Sequence, residues 1–521
     1  MRKILTSAQL RELDKMTISA LDISSYELME RAVRKLFEHI KTIVGDLISR
    51  KFIVVAGTGN NGGDGLGIAR MLRGRGADVT VWFCDFSQKI TDECMINLDK
   101  IRDFVDIDFI SLNDCNVHDL YAGDKKTVII DAIFGTGLSR SVTGKYADVI
   151  DVINGSPAKV ISIDIPSGLF ADDNHENHGA IVKADITMSI QDYHLSSMFA
   201  ENSIYYGKIN VINIGHDVSS LESIETEYSY LERDDISKLM KTRHDFDHKG
   251  TFGHALLVAG GLGKAGAAVL ASRACLRCGV GLLSVTSPAD ICMIMQVSVP
   301  EAMYETNFVG DFGRYSAIGI GPGIGVGPLA EKYVDMVMCS GKPFVADADA
   351  LNLLSLKRGK IDKLTNCILT PHPKEFERLF GNFENPFARL KFMSDFSRNH
   401  NSVIVLKGGV TYISLTSGEI VMYNGRNPGI ATGGSGDVLT GIIASLLAQG
   451  YSLNDAAQIG VWVHGEAGQY ASMDNGHVSA LASDIVDKLF PVFYDLECYD
   501  DIYVCAKHYE PPQPDETLIP F

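Results

Sequence analysis

The residues best placed to do chemistry are carboxylates standing beside glycines. Asp437 ends the segment NPGIATGGSGD, which runs into VLTGIIASLLAQG. There Val438, Leu439, Ile442, Ile443, Leu446 and Leu447 recur at helical spacing, and Gly450 supplies a stop. A side-chain-poor loop thus brings bare N–H groups to the start of an apolar helix. Unpaired first-turn amides and the helix dipole make such a start attractive to an anion. A carboxylate in that turn has two readings. As a cap it is worth about 0.5–2 kcal/mol; as a base it takes a proton from a hydroxyl while phosphate approaches.

A second glycine-rich motif, GTGNNGGDG at 57–65, follows the strand-like run KFIVVA at 51–56. A helix is predicted over 66–72 and another strand over 78–83. Gly57, Gly59 and Gly62 have dinucleotide-fingerprint spacing, and Asp85 ends the next strand at the distance of a ribose-binding acid, which suggests a dehydrogenase. The bare fingerprint is weak, however, and this one also holds Asn60, Asn61 and Asp64. Those residues either present oxygen ligands to a bound molecule or simply suit left-handed turn geometry. Two more apolar runs end in acids: TVII into Asp131, followed by AIFGTGLSR, and KVISI into Asp164, followed by IPSGL. Loops leaving the carboxyl ends of parallel strands share one crevice, so Asn61, Asp131, Asp164 and Ser167 can meet there. Oxygen ligands without His or Cys suit a hard cation. A phosphate could rest on the amides of Gly135, Thr136 and Gly137.

The second half repeats this punctuation. Apolar runs lead into GGLGKAGAA (260–268), GPGIG (321–325), DADALN (347–352), TPHPKEF (370–376) and KGGVT (407–411). The first of these is not a Walker loop, because Val258 and Ala265 stand where Gly and Ser/Thr are required. His372 between Pro371 and Pro373 is either a substrate contact or the end of a strand before a helix. Lys407 with Gly408 and Gly409 is either a phosphate cradle or a hairpin turn. His244 and His248 stand at i, i+4, but Gly250 and Gly253 oppose the helix that would align them for a metal. The pattern as a whole predicts α/β architecture with one ligand-binding edge in each half.

At 521 residues the chain is too long for one ordinary core. The acidic stretch 218–235 is the expected linker between residues 1–217 and 236–498, with 499–521 as a tail around PPQP. A formal charge of −18 argues against nucleic acid and anionic membranes. No apolar run of about 18 residues predicts a membrane span. The ten cysteines are scattered through apolar segments, and Cys275 and Cys278 form the only CxxC. They read as reduced core thiols of a cytoplasmic protein.

With both halves read, the chain resembles one family. GTGNNGGDG, DAIFGTGLSR and DIPSGL are similar to the NAD(P)H-hydrate epimerase domain, which has a Rossmann-like doubly wound sheet. HKGTFG, GIGPGIG, DADALN, TPHPKEF, KGGVT and NPGIATGGSGD are similar to the ribokinase-like NAD(P)H-hydrate dehydratase domain. The sequence departs from the usual pattern at Val33, Thr58, Gly261 and Lys264.

The resemblance implies a bifunctional repair enzyme for hydrated NADH and NADPH. Its first domain would interconvert the R and S hydrates, and its second would dehydrate the S hydrate. Substrate would be bound in the first domain by Asn60, Asn61, Gly62, Gly63 and Asp64, and by Gly135, Thr136, Gly137, Leu138, Ser139, Arg140 and Ser141. Asp164 would be the acid/base there, and Asn61, Asp131 and Ser167 would hold a potassium ion. In the second domain Ala267, Gly323, His372, Pro373, Lys374, Glu375, Phe376 and the catalytic Asp437 would contact substrate. ADP, rather than ATP, would be held with magnesium by Lys407, Gly408, Gly409, Val410 and Thr411. The loop of Asn427, Pro428, Gly429, Ile430, Ala431, Thr432, Gly433, Gly434, Ser435 and Gly436 would complete that nucleotide site. A homo-oligomer is expected. The competing expectation is a ribokinase-like kinase of vitamin precursors with a non-catalytic dinucleotide-binding first domain.

Overall fold

Parallel strands covered on both faces are buried throughout, so they appear in sequence as unbroken apolar runs. The computed structural model, which describes residues 1–85, 89–111, 123–306 and 308–497, builds both halves on such strands. The chain divides into two units, Lys3–Tyr228 and Ser229 onward, the latter joined by Met1–Arg2. The stretch expected to be a linker carries a helix at Val218–Ser223, a strand at Tyr228–Tyr230 and the start of a helix at Arg233–Leu239. The expected tail, 499–521, lies outside the described residues.

In the first unit seven parallel strands lie in the order Asp106–Ser111, Asp78–Asp85, Lys51–Ala56, Thr127–Ala132, Lys159–Ile163, Ile186–Ile190 and Lys208–Ile212. Chain order reverses between Lys51–Ala56 and Thr127–Ala132, which opens a crevice at their carboxyl ends. Two helices begin with full capping boxes: Ser7–Leu21 on Thr6 and Gln9, and Ser25–Val44 on Ser24 and Glu27.

One sequence expectation changes here. The helix predicted over 66–72 begins six residues earlier, so Asn60–Gly74 is one helix with Gly59 as its cap. NNGGDG is therefore the first turn and a half of a helix rather than a loop. Close packing explains the glycines. A Cβ on Gly62 would collide with the Gly57 carbonyl oxygen, one on Gly65 would sit 2.6 Å from Ala132 Cβ, and one on Gly67 2.7 Å from a Val33 methyl.

The second unit has parallel strands His254–Val258, Leu282–Thr286, Met303–Glu305, Ala317–Ile320, Phe344–Ala346, Cys367–Leu369 and Val403–Leu406. Thr411–Ser414 and Ile420–Tyr423 then add on antiparallel. Its switch point lies between His254–Val258 and Ala317–Ile320. The helix Ser435–Ala448 is buried along almost its whole length. It crosses Ala265–Arg277 so closely that a Cβ on Gly441 would strike the Ala271 carbonyl oxygen. Cys275 and Cys278 are free and buried, and burial raises their thiol pKa, as expected for packing residues.

Candidate active sites

The crevice of the first unit is a cavity of about 1020 Å³, at the upper end of the roughly 300–1,000 Å³ typical of ligand pockets. Asn60, Asn61 and Asp64 line it from the glycine helix, Gly135–Leu138, Arg140 and Ser141 from the loop after Thr127–Ala132, and Asp164 from the end of Lys159–Ile163. Gly62, Gly63 and Ser139 are not in its wall. The two glycines are buried against Gly57 and Met29 instead, so they set how closely the helix approaches the sheet.

Beneath the cavity, Asn61 and Ser167 meet at the Phe134 main chain, and Asp131 bonds the Ser167 backbone. Asn61 Nδ2 donates to the Phe134 carbonyl at 2.9 Å, while Ser167 Oγ accepts from the Phe134 N–H at 2.9 Å. Asp131 Oδ2 accepts from the Ser162 hydroxyl at 2.6 Å and the Ser167 N–H at 2.9 Å. Burial raises the Asp131 pKa against these hydrogen bonds. Asn61 Oδ1 is buried without a hydrogen-bond partner. An orphaned oxygen beside a hydroxyl, a carbonyl and a carboxylate fits a hard monovalent cation.

Asp164 and Asp64 differ in environment. Asp164 is left-handed, φ 66°, and its Oδ1 lies 2.8 Å from His194 Nε2. Asp64 Oδ1 is buried without a partner, and burial first, then the charges of Asp164 and Asp14, push its pKa well up. His194, His216, Arg11 and Lys15 also line the cavity, though sequence reasoning singled out none of them. Arg11, Lys15 and Arg140 face it without an ion pair among the described residues, which suits phosphates. Arg11 and Lys15 carry a weak sequence signal, one helical turn apart on a capped helix.

The second unit gathers its residues at the carboxyl edge of its parallel strands. Asp437 is the third residue of its helix; the cap is Gly434, left-handed at φ 94°, and no side chain caps the end. The capping role is therefore not what Asp437 performs. Its pKa is raised to about 6, chiefly by burial and then by Asp347, against the pull of Lys407. Lys407 Nζ donates to Asp347 Oδ1 at 2.7 Å, and the Thr440 hydroxyl donates to Oδ2 at 3.0 Å. A Cβ on Gly436 would meet Asp347 Oδ2 at 3.1 Å and Lys407 Nζ at 3.2 Å, so both charges lie directly against the loop helix.

Several expected residues act as scaffold in this structure. Asn427 is buried, accepting from the Gly429 N–H at 2.9 Å and donating to the Gly468 carbonyl at 2.9 Å, which pins the loop's first turn. Lys407–Val410 connects two antiparallel strands, so the hairpin reading describes its backbone, while the lysine itself turns to Asp347. His372 caps Pro373–Phe380: its Nδ1 accepts from the Lys374 and Glu375 N–H groups at 3.1 and 3.3 Å. Glu375 returns the bond to the His372 N–H at 2.9 Å. Phe376 is 1% exposed and stacks within Phe380, Phe383 and Phe392, so its side chain faces the core and not a ligand. Ala267 and Gly323 are neighbours, since a Cβ on Gly323 would lie 3.1 Å from Ala267 Cβ. His464, absent from the sequence reading, is buried with Nε2 3.0 Å from both Ser435 Oγ and the Ser435 carbonyl. Burial lowers its pKa to about 4, so it props the loop helix as a neutral group.

Comparison with known proteins adds a family to this geometry. The family model described as NAD(P)H-hydrate dehydratase matches residues 255–491, and that described as the YjeF-related protein N-terminus matches residues 25–195. The bifunctional NAD(P)H-hydrate repair enzyme of Coxiella burnetii is 32% identical over 92% of this chain and 97% of its own. That of Moorella thermoacetica is 31% identical over 95% and 97%. That of Escherichia coli is 30% identical over 92% of each.

Proposed function

The chain belongs to the bifunctional NAD(P)H-hydrate repair enzymes, and from that premise we propose how its two sites divide the work. It is an isomerase joined to a lyase, restoring nicotinamide coenzymes whose reduced ring has taken up water. Similarity along nearly the whole length favours this reading over a vitamin kinase with an inert first domain.

In the first unit, the hydrated ring lies against Asp164 and the amides of Gly135–Gly137, and the phosphates lie toward Arg11, Lys15 and Arg140. A potassium ion under Phe134 would be held by Asn61, Asp131 and Ser167 with the Phe134 main chain. Bound there, it would supply fixed positive charge beneath the loop that cradles the ligand.

In the second unit, the single observation that carries the mechanism is Asp437: a carboxyl with no hydrogen bond or ion pair among the described residues, raised to about 6, in the first turn of a glycine-capped helix. Near neutral pH it is ionised, yet basic enough to accept the proton of the ring hydroxyl. ADP is the donor, held by residues 407–411 and 427–436, and magnesium comes with its phosphates, as is usual for this reluctantly dehydrating cation. The amides of Gly434, Ser435 and Gly436 and the dipole of their helix stabilise the phosphoryl group in transit. Phosphate then leaves far more readily than hydroxide, the ring regains its double bond, and NAD(P)H, AMP and phosphate are the products.

With hydrated NADH and ADP, this mechanism expects AMP, free phosphate and NADH in equal amounts. Accumulation of a stable phosphorylated nicotinamide would identify a kinase instead. Parallel reactions with ATP, with the NADPH hydrate and with potassium replaced by a large organic cation fix the donor, substrate preference and ion.

A further inference from the structure

Asp164 is held more firmly than a cavity-lining carboxylate needs to be. Its N–H donates to the Met188 carbonyl at 2.8 Å, which fixes the left-handed backbone at the end of the strand. Its Oδ1 accepts from His194 Nε2 at 2.8 Å and from the Ile190 N–H at 3.4 Å. Its Oδ2 lies on the Gly135 side, where a Cβ on that glycine would come within 3.3 Å. The His194 side chain is 2% exposed and that of Asp164 13%, so the imidazole stands behind the carboxylate. The second ring nitrogen, Nδ1, is buried with no hydrogen-bond partner among the described residues. An apolar residue would fill this space without leaving a buried polar atom unsatisfied, so packing alone does not account for a histidine. Burial opposes charge on the ring, but the Asp164 carboxylate, helped by Asp172, outweighs it and raises the His194 pKa.

We propose that His194 is a positioning residue of the first site, whose Nε2–H fixes Oδ1 of Asp164, leaving Oδ2 as the base that meets the ring hydroxyl. The inference rests on the epimerase reading of this unit. The reacting carbon of the hydrate bears both a hydroxyl and the ring nitrogen. Asp164 takes the hydroxyl proton, the carbon–oxygen bond becomes a carbonyl, and the carbon–nitrogen bond breaks with its pair going to nitrogen. Asp164 then returns the proton to that nitrogen, giving an open-chain aldehyde. Rotation and reversal of the same steps close the ring on the other face, with no oxidant or reductant. The other groups facing the pair are Asp64, protonated more readily because burial raises its pKa, Asp172, and Asp14 bonded to His216.

The test compares full-length wild type, His194→Ala and His194→Gln for R-to-S conversion, with dehydration of pure S hydrate on the same samples reporting an intact chain. The alanine variant is expected to lose about 10- to 100-fold in kcat with KM within about threefold. Glutamine keeps an N–H donor and should recover much of the rate. Wild-type kcat in the alanine variant would overturn the proposal, as would equal losses in the alanine and glutamine variants. Wild type running at the spontaneous rate would instead overturn the epimerase reading itself.

Discussion

The two glycine-rich motifs look alike as text and do opposite jobs. In the first unit, Gly62, Gly65 and Gly67 are glycine because a helix is pressed onto a strand, a neighbouring loop and another helix, with no room for a Cβ. In the second, a Cβ on Gly433 would meet no described atom within 4 Å and Gly434 is a left-handed cap, so the loop before Ser435–Ala448 is open there, with the Ser435 N–H held by a long 3.4 Å bond to the Thr432 carbonyl. The acids differ in the same way. Asp164 is gripped by His194, whereas Asp437 has no hydrogen bond or ion pair among the described residues and its pKa is raised by burial and by Asp347. The first site is tightly packed around its base. The second leaves its base unengaged among the described residues, as a site must when a phosphoryl group has to approach it.

The largest effect that would test this contrast is at Asp437. Asp437→Asn should lower dehydratase kcat by about 10²–10⁴-fold while nucleotide binding persists; near-normal turnover would remove the base from the mechanism. Next, Gly62→Ala should cost the first unit about 1–3 kcal/mol by overpacking and depress epimerisation, read as a lowered melting transition with dehydration of the S hydrate retained. If that variant is as stable as wild type, the packing account of the motif is wrong.

The pH dependence separates the two acids further. With a carboxyl raised to about 6, dehydratase kcat should fall about tenfold per pH unit below that value and level off above it. An acid limb near 4 would mean that Asp437 is not perturbed. The smallest effect concerns the open loop. Gly433→Ala should change stability by less than about 0.5 kcal/mol yet raise the KM for the nucleotide severalfold, since the new methyl meets only the ligand.

The strand ends were legible because buried parallel strands are written as apolar runs and their loops as glycine, proline and acid. That pattern placed Asp131, Asp164, Lys407 and Asp437 on the correct edges. The shared crevice of Asn61, Asp131, Asp164 and Ser167 was legible too; what escaped were particular side-chain pairs formed between distant segments. Asp347 is joined to Lys407 and Thr440, Asp164 to His194, and Ser435 to His464, each across a gap in sequence that no local period reports. The helix start at Asn60 was missed for a different reason. Five glycines in nine residues resemble a loop until the neighbours that exclude a Cβ are known. Phe376 was likewise placed by its motif, while its side chain follows the aromatic core.

The central claim is that one chain carries both activities. The most direct measurement supplies a mixture of R and S hydrates of NADH with ADP and follows the return of reduced-nicotinamide absorbance. The wild-type chain should restore the whole mixture faster than the hydrates interconvert unaided. Asp164→Ala should restore the S fraction quickly and the remainder only at the spontaneous rate. No return of absorbance with ADP or ATP would contradict the lyase, and identical traces for wild type and Asp164→Ala would contradict the isomerase.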